Sequence, residues 1–350
     1  MQASYKKYIL DFKRPSGTSR GVLIQKETWL LKITDNGKFG IGECGILKGL
    51  SCDDVPEYEE KLKWTCENIH LGKDKLWSAL LHFPSIQFGI EQAFTSLAAE
   101  HPFELFISDF TKHEAAIAIN GLIWMGDERF MLEQIQQKLE EGFKCIKMKI
   151  GALNFDTEIK LLASIRKKYS KQEIELRVDA NGAFSPMEAL DKLKQLAAYD
   201  LHSIEQPIPQ GRLQEMQGLC RTTPLPIALD EELIGIIEVT EKKQLLQTLR
   251  PQYIILKPSL VGGFKGSSEW IALAEAYGIG WWVTSALESN IGLNAIAQWT
   301  FILKNKLPQG LGTGGLYTNN FESPLTVQNG QLLYKNNKKW DMDLIKNTCI

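Results

Sequence analysis

The chain has six cysteines but no CxxC pair and no dense cysteine spacing, which excludes the common dithiol and zinc-knuckle motifs and any disulfide framework. They read as free thiols of a reducing cytoplasm. No signal-peptide core stands near the N-terminus and no apolar run reaches membrane-spanning length, so neither export nor a membrane partner is expected. Neither charge is in excess: 40 Lys and Arg oppose 42 Asp and Glu, and the basic residues are scattered rather than gathered into an arm. That excludes the electrostatic footprint of a nucleic-acid binder. Internal repeats and low-complexity segments are also absent. What remains is a globular chain of 350 residues, enough for one large domain or two modest ones.

The first hundred or so residues read as α+β. Strand-like runs at 21–25 and 29–34 lead into Asp35-Asn36-Gly37-Lys38, a hairpin signal, and strand character resumes at 39–43. Residues 45–54 read as a mobile loop, and helical periodicity follows at about 55–71 and 87–99. From about residue 115 the pattern changes to short apolar runs alternating with amphipathic stretches: AIAING, CIKMKI, IELRVDA, SIEQP, PIALDE, YIILKP, GWWVTSA and GLGTGG. Eight such runs imply parallel βαβ units closed into a barrel. The expected organisation is a capping domain over residues 1–110, a barrel over 111–320, and a C-terminal segment, 321–350, returning to the cap.

Polar residues end these runs in phase. The second run ends in Lys147 and Lys149, the third in Asp179, the fourth in Glu205, the fifth in Asp230, the sixth in Lys257 and the seventh in Ser285. Successive ends, counted from Lys149, lie 25 to 30 residues apart, about one βα unit each. In a barrel they would converge on the C-terminal mouth, where barrel enzymes place their chemistry. A lone Asp or Lys at a strand end is usually half of a structural ion pair, but six in phase are not so explained. Three adjacent carboxylates repel one another unless a hard divalent cation joins them, and oxygen donors select Mg²⁺. Lys147 and Lys149, two apart on a strand, point the same way, with Lys257 across the mouth. Neighbouring positive charge and the metal should lower a lysine pKa and make it a base. Carboxylates are poor carbon acids, so metal and ammonium groups together suit proton abstraction beside a carboxylate, by stabilising the enediolate.

KMKIG at 147–151, RVDANGAF at 177–184, IEQP at 204–207, LDE at 229–231, LKPSLVGG at 256–263, SALES at 285–289 and GIGECG at 40–45 together resemble the enolase superfamily, more narrowly its muconate-lactonizing subgroup. The superfamily's pairing of a Lys or His base with Mg²⁺ is a general pattern. The resemblance covers about residues 20–315. It implies a modified TIM barrel, (β/α)₇β, with an α+β capping domain. It places Asp179, Glu205 and Asp230 at the metal-ligand positions, Lys149 at the base, Lys257 across the site and Lys147 beside the base. Asn181 and Arg177 fall where residues either stand behind the groups that touch substrate or orient the substrate carboxylate.

Further absences narrow the subgroup. The last histidine is His202, which argues against relatives with a late histidine base. No aspartate occurs between Asp230 and Asp341, so the eighth strand offers no countercharge to a substrate ammonium, as dipeptide epimerases require. Gly312 and Thr313 stand there instead. With Ser285 they suit a second carboxylate through hydroxyl and backbone N–H groups. The resemblance then implies dehydration of a cyclohexadiene carboxylate bearing a succinyl chain to an aromatic acid. Racemisation of N-acylamino acids uses the same residues and stays open, as does a catalytically inactive binding barrel. The expected partner is a small carboxylate, and homo-oligomerisation stays open.

Overall fold

The computed structural model describes residues 1–18 and 21–342. Its front part is an antiparallel sheet in the order β1 (Gln2–Thr18), β2 (Gly21–Asp35), β3 (Lys38–Gly45). Asn36 and Gly37 both have positive φ, 48° and 78°, the turn that matches the twist of paired strands. The apolar runs at 21–25 and 29–34 join into β2. Strand β1, which apolar alternation does not announce, is held by its pairing to β2 from Gln2–Thr34 to Asp11–Gln25.

Helices α1 (Tyr58–Glu67), α2 (Lys73–Ala79) and α3 (Pro84–Ala98) cover this sheet. Helix α3 lies flush on β3 because glycine stands at the contact. A Cβ at Gly42 would sit 2.0 Å from the Gly89 carbonyl oxygen, and one at Gly40 would sit 2.1 Å from that of Ala93. The close approach lets Trp29, Leu31, Ile33, Ile86 and Ile90 share one buried cluster.

The short helix α4 (Asp109–Lys112) leads to the second part. Strand β4 (Ile117–Ala118) is followed by β5 (Gly121–Ile123), α5 (Glu128–Glu140), β6 (Cys145–Lys149), α6 (Phe155–Lys168), β7 (Glu175–Asp179) and α7 (Pro186–Ala197). Then come β8 (Ser203–Glu205), α8 (Leu213–Thr222), β9 (Ile227–Leu229), α9 (Val239–Leu249), β10 (Tyr253–Leu256), α10 (Gly263–Ala276), β11 (Gly280–Val283) and α11 (Asn290–Ile302). Strands β5 to β11 form one parallel sheet in sequence order. Gln309 and Gly310 supply the eighth position: Gln309 N donates to Ala118 O at 2.8 Å and Gly310 N to Val283 O at 2.8 Å, joining the sheet's two edges. The ring so closed is a (β/α)₇β barrel. Its first apolar run divides, because Ile117–Ala118 pair antiparallel with β13 (Gln331–Tyr334) of a hairpin with β12 (Leu325–Gln328), while pairing with β6 begins at Gly121. Nothing in the side-chain pattern marks that change of partner. Among the described residues no helix is long and apolar enough to cross a membrane.

Front part and barrel share both apolar and polar contacts. Phe321 and Trp340 pack with Leu30, Ile41, Phe103 and Ile291, and the Phe103 and Trp340 rings stack at 4.1 Å. Glu43 of β3, fully buried, accepts from the backbone N–H groups of Ser289 (2.8 Å) and Gly292 (2.9 Å) and from the Ser289 hydroxyl. Glu91 of α3 accepts from Phe264 N (2.5 Å) and Lys265 N (3.2 Å), and burial pushes its carboxyl up to about 7. Gly263 permits that contact, since a Cβ there would lie 2.1 Å from Glu91 Oε2. Hydrogen bonds to charged groups contribute about 1.5–3 kcal/mol each, so these two acids are substantial ties.

The glycine contact gives a direct test. Gly42→Ala forces backbone apart and should lower the unfolding free energy by about 2 kcal/mol or more. Gly218→Ala, in α8 with nothing within 4 Å of the new methyl, should raise it by about 0.5–1 kcal/mol. Denaturant unfolding of both variants checks the pair, and equal effects would contradict this account of the α3–β3 contact.

Candidate active site

The pleat of β6 puts Lys147 and Lys149 on the barrel's inner face, and register carries the site from strand to strand. Lys149 lies opposite Asp179, and Asp179 opposite Glu205. Asp230 follows β9, and Lys257 follows β10. The chain bends sharply beyond these residues. Asn181 (φ 43°), Gln206 (φ 40°) and Leu287 (φ 62°) are left-handed without being glycine, a conformation that persists only where surrounding contacts hold it. Asn181 N donates to Asp179 Oδ1 (3.0 Å), Gly182 N to Gln206 O (2.6 Å) and Leu287 N to Ser285 Oγ (3.0 Å).

Each carboxylate meets an ammonium. Lys147 Nζ lies 2.9 Å from Asp179 and also bonds Glu205. Lys149 Nζ lies 3.0 Å from Asp179 and donates to Asn181 Oδ1 at 2.6 Å. Lys257 bonds Asp230. The electrostatics follow from this crowding. Burial opposes charge on Asp179, but Lys147 and Lys149 outweigh it and hold that carboxyl well below its usual range. Burial, and then the Asp179 charge, push Glu205 up to about 8. Burial favours a neutral amine at Lys147 and Lys257, yet the surrounding carboxylates, Asp179 and Glu205 for the one and Asp230 for the other, raise both. At these two lysines the acids beside them dominate, whereas the lowering expected from sequence required the metal as well.

Two observations bear on a metal. Glu205 Oε1 is buried without a hydrogen-bond partner, and the donors on three adjacent strand ends are all hard oxygens. Among the described residues no three acidic, histidine or cysteine groups surround one point as they stand, since the lysines lie on the carboxylates. The donor set and the orphan oxygen fit a divalent cation that takes over charge the ammonium groups now balance.

Above these groups lies a cavity of about 470 Å³. Lys147, Lys149, Asp179, Asn181 and Lys257 line its floor, while Glu205 and Asp230 are buried outside its lining. Ser285, Gly312 and Thr313 line one wall, the two hydroxyls 2.7 Å apart. Arg177 is not brought to the cavity. It sits two residues back along β7, donates to Glu175 (2.7 Å) and Pro308 O (2.9 Å), and stacks 4.2 Å over Trp282. Sequence reasoning missed Lys13, Arg14 and Lys48, which also line the cavity, because isolated cations on a hairpin and a loop carry no pattern. Among the described residues Asp179 is the only acid in the lining, against seven Lys and Arg. The loop expected to be mobile is pinned at its far end, where buried Asp53 accepts from Ser85 N (2.9 Å) and Ser85 Oγ (2.6 Å).

Known proteins share this architecture. The family model for enolase C-terminal domain-like proteins matches residues 131–337. An o-succinylbenzoate synthase of Desulfotalea psychrophila is 47% identical, over 95% of this chain and 98% of its own. The crystal structure of MenC from that organism superposes with a TM-score of 0.85 at 43% identity, covering 95% of this chain and 99% of the other. An N-succinylamino acid racemase of Thermus thermophilus is 29% identical, over 79% of this chain and 75% of its own. A match across more than half the chain, and close identity over nearly all of it, place the protein in the enolase C-terminal domain-like family, on its o-succinylbenzoate synthase branch.

Proposed function

We propose that this enzyme, a carbon–oxygen lyase, dehydrates 2-succinyl-6-hydroxy-2,4-cyclohexadiene-1-carboxylate to 2-succinylbenzoate in menaquinone biosynthesis, with Mg²⁺ held by Asp179, Glu205 and Asp230. The observation that carries the reading is the placement of Lys149 and Lys257 on the floor of one cation-lined cavity, with the strands bearing the three carboxylates between them. A cavity with one acid and many cations suits a substrate bearing two carboxylates and repels one bearing an ammonium. Bound Mg²⁺ would supply positive charge against the substrate carboxylate while the α-carbon is deprotonated. The cytoplasm is the compartment this reading assigns.

The chain's own residues divide the work. Lys149, as the free amine, takes the α-proton. The same residue then delivers a proton to the departing hydroxyl, so that water leaves and the ring becomes aromatic. Lys257 stays charged and faces the ring, where an ammonium attracts developing negative charge and then the aromatic face. Lys147, two residues before the base on β6, keeps its charge beside it. Ser285, Thr313 and the chain at Gly312 form the wall that receives the succinyl carboxylate, with Lys13, Arg14 and Lys48 adding positive potential.

The opposed lysines also favour a second reading, racemisation of N-succinylamino acids, in which each lysine serves one face of the α-carbon. Arginine substitution separates the two, because Arg keeps the charge but is not a base at neutral pH. On the dehydratase reading Lys149→Arg loses turnover by about a thousandfold or more. Lys257→Arg stays within about a hundredfold of the parent, as an electrostatic partner can. Symmetric loss, with one-sided α-proton exchange of N-succinylamino acids in D₂O and no dehydration by the parent, would instead establish the racemase.

The metal assignment has its own test. Glu205→Gln keeps shape but removes one charge, so apparent Mg²⁺ affinity should drop by about a hundredfold, with turnover falling alongside it. Calorimetric titration and turnover against Mg²⁺ concentration measure both. Undiminished turnover in excess chelator contradicts the assignment.

A further inference from the structure

Lys149 touches an amide whose two ends are chemically different. Its Nζ donates to Asn181 Oδ1 at 2.6 Å, while Asn181 Nδ2 donates to Glu231 Oε1 at 3.0 Å. The Glu231 oxygen accepts from the N–H end of the amide, so Glu231 decides which end faces it and leaves the carbonyl facing Lys149. The backbone fixes the same side chain from below: Asn181 is left-handed (φ 43°), and its N–H donates to Asp179 Oδ1 at 3.0 Å. Glu231 stands on a 3₁₀ turn, Glu231–Leu233, directly after Asp230, and is itself buried, with 4% of its surface exposed. The glutamate of the LDE motif therefore bonds to the DANG turn and through it to the lysine on β6.

We propose that Glu231 is a positioning residue for Lys149, acting through Asn181: it orients the Asn181 amide so that a carbonyl oxygen, never an N–H, meets the lysine nitrogen. The consequence is geometric. With the carbonyl presented, one of the lysine's N–H groups is bound by Asn181, and the nitrogen's lone pair is left for the cavity that Lys149 lines. With the amide reversed, its N–H groups compete for the lone pair that has to receive the substrate proton. Glu231 itself is absent from the cavity lining, so it acts without touching substrate.

The inference rests on the reading of Lys149 as the base, and the experiment separates the two. Full-length protein with Mg²⁺ and the cyclohexadiene substrate is compared as parent, Glu231→Gln, Asn181→Ala and the double variant. Gln keeps the size of Glu but offers a donor as well as an acceptor, so it no longer dictates the amide's orientation. The expected result is a fall in kcat of about 10–100-fold in Glu231→Gln with KM nearly unchanged. In the Asn181→Ala background the same change should cost little, because the amide through which Glu231 acts is gone. An equal loss in both backgrounds, or a change confined to KM, overturns the proposal. Should Glu231→Gln not fold cooperatively, Glu231→Asp replaces it, with kcat above that of Asn181→Ala expected and kcat below it contradictory. A parent without dehydration activity would count against the base assignment, whereas an active parent matched by an equally active Glu231→Gln counts only against the role of Glu231.

Discussion

Three carboxylates sealed from water on neighbouring strand ends cannot all stay charged without cations beside them. At 4 Å two like charges repel by about 4 kcal/mol even at an effective dielectric constant near 20. Asp179, Glu205 and Asp230 are each nearly inaccessible to solvent, so the rest of the site answers that repulsion. Lys147 lies against two of them, Lys149 against one and Lys257 against the third. The same crowding prepares the exchange on which the proposed chemistry depends. With a divalent cation held by the carboxylates, the lysines would be free to face substrate.

That floor is only as well placed as the turns around it, and the front part of the chain holds several of them. Glu43 bonds the N-terminal turn of α11, which follows the Ser285 wall, and Glu91 bonds the start of α10, which follows Lys257. Glycines at Gly42 and Gly263 give these acids their approach by keeping helix, sheet and turn in contact. Leu47, Lys48 and Leu50 cover the cavity from a loop fixed at Asp53. The cavity lining and the strand ends beneath it are thereby tied to one set of contacts between sheet and barrel.

Much of this was legible before the structure. A regular spacing of polar strand ends marked the barrel and named its floor, because a βα unit has a nearly fixed length and alternation sets which residues share a face. Arg177 came from the family resemblance and not from that rule: it shares the face of Asp179 but lies one layer deeper, where Trp282 and Pro308 occupy it. No local sequence pattern pairs Glu43 or Glu91 with a partner, since their partners are backbone N–H groups some 170 to 250 residues away. The division of the first apolar run between β4 and β5, and the pairing of β1, likewise depend on partners distant in sequence.

The claim at the centre is that the three carboxylates hold a metal and the lysines move off to serve the substrate. A crystal structure of the parent with Mg²⁺ and 2-succinylbenzoate tests it most directly. The account predicts one ion with an oxygen from each of Asp179, Glu205 and Asp230 at about 2.1 Å, and Lys149 and Lys257 on either side of the product ring. An ion bound elsewhere, or product seated with Lys147 and Lys257 still bonded to Glu205 and Asp230, would contradict it.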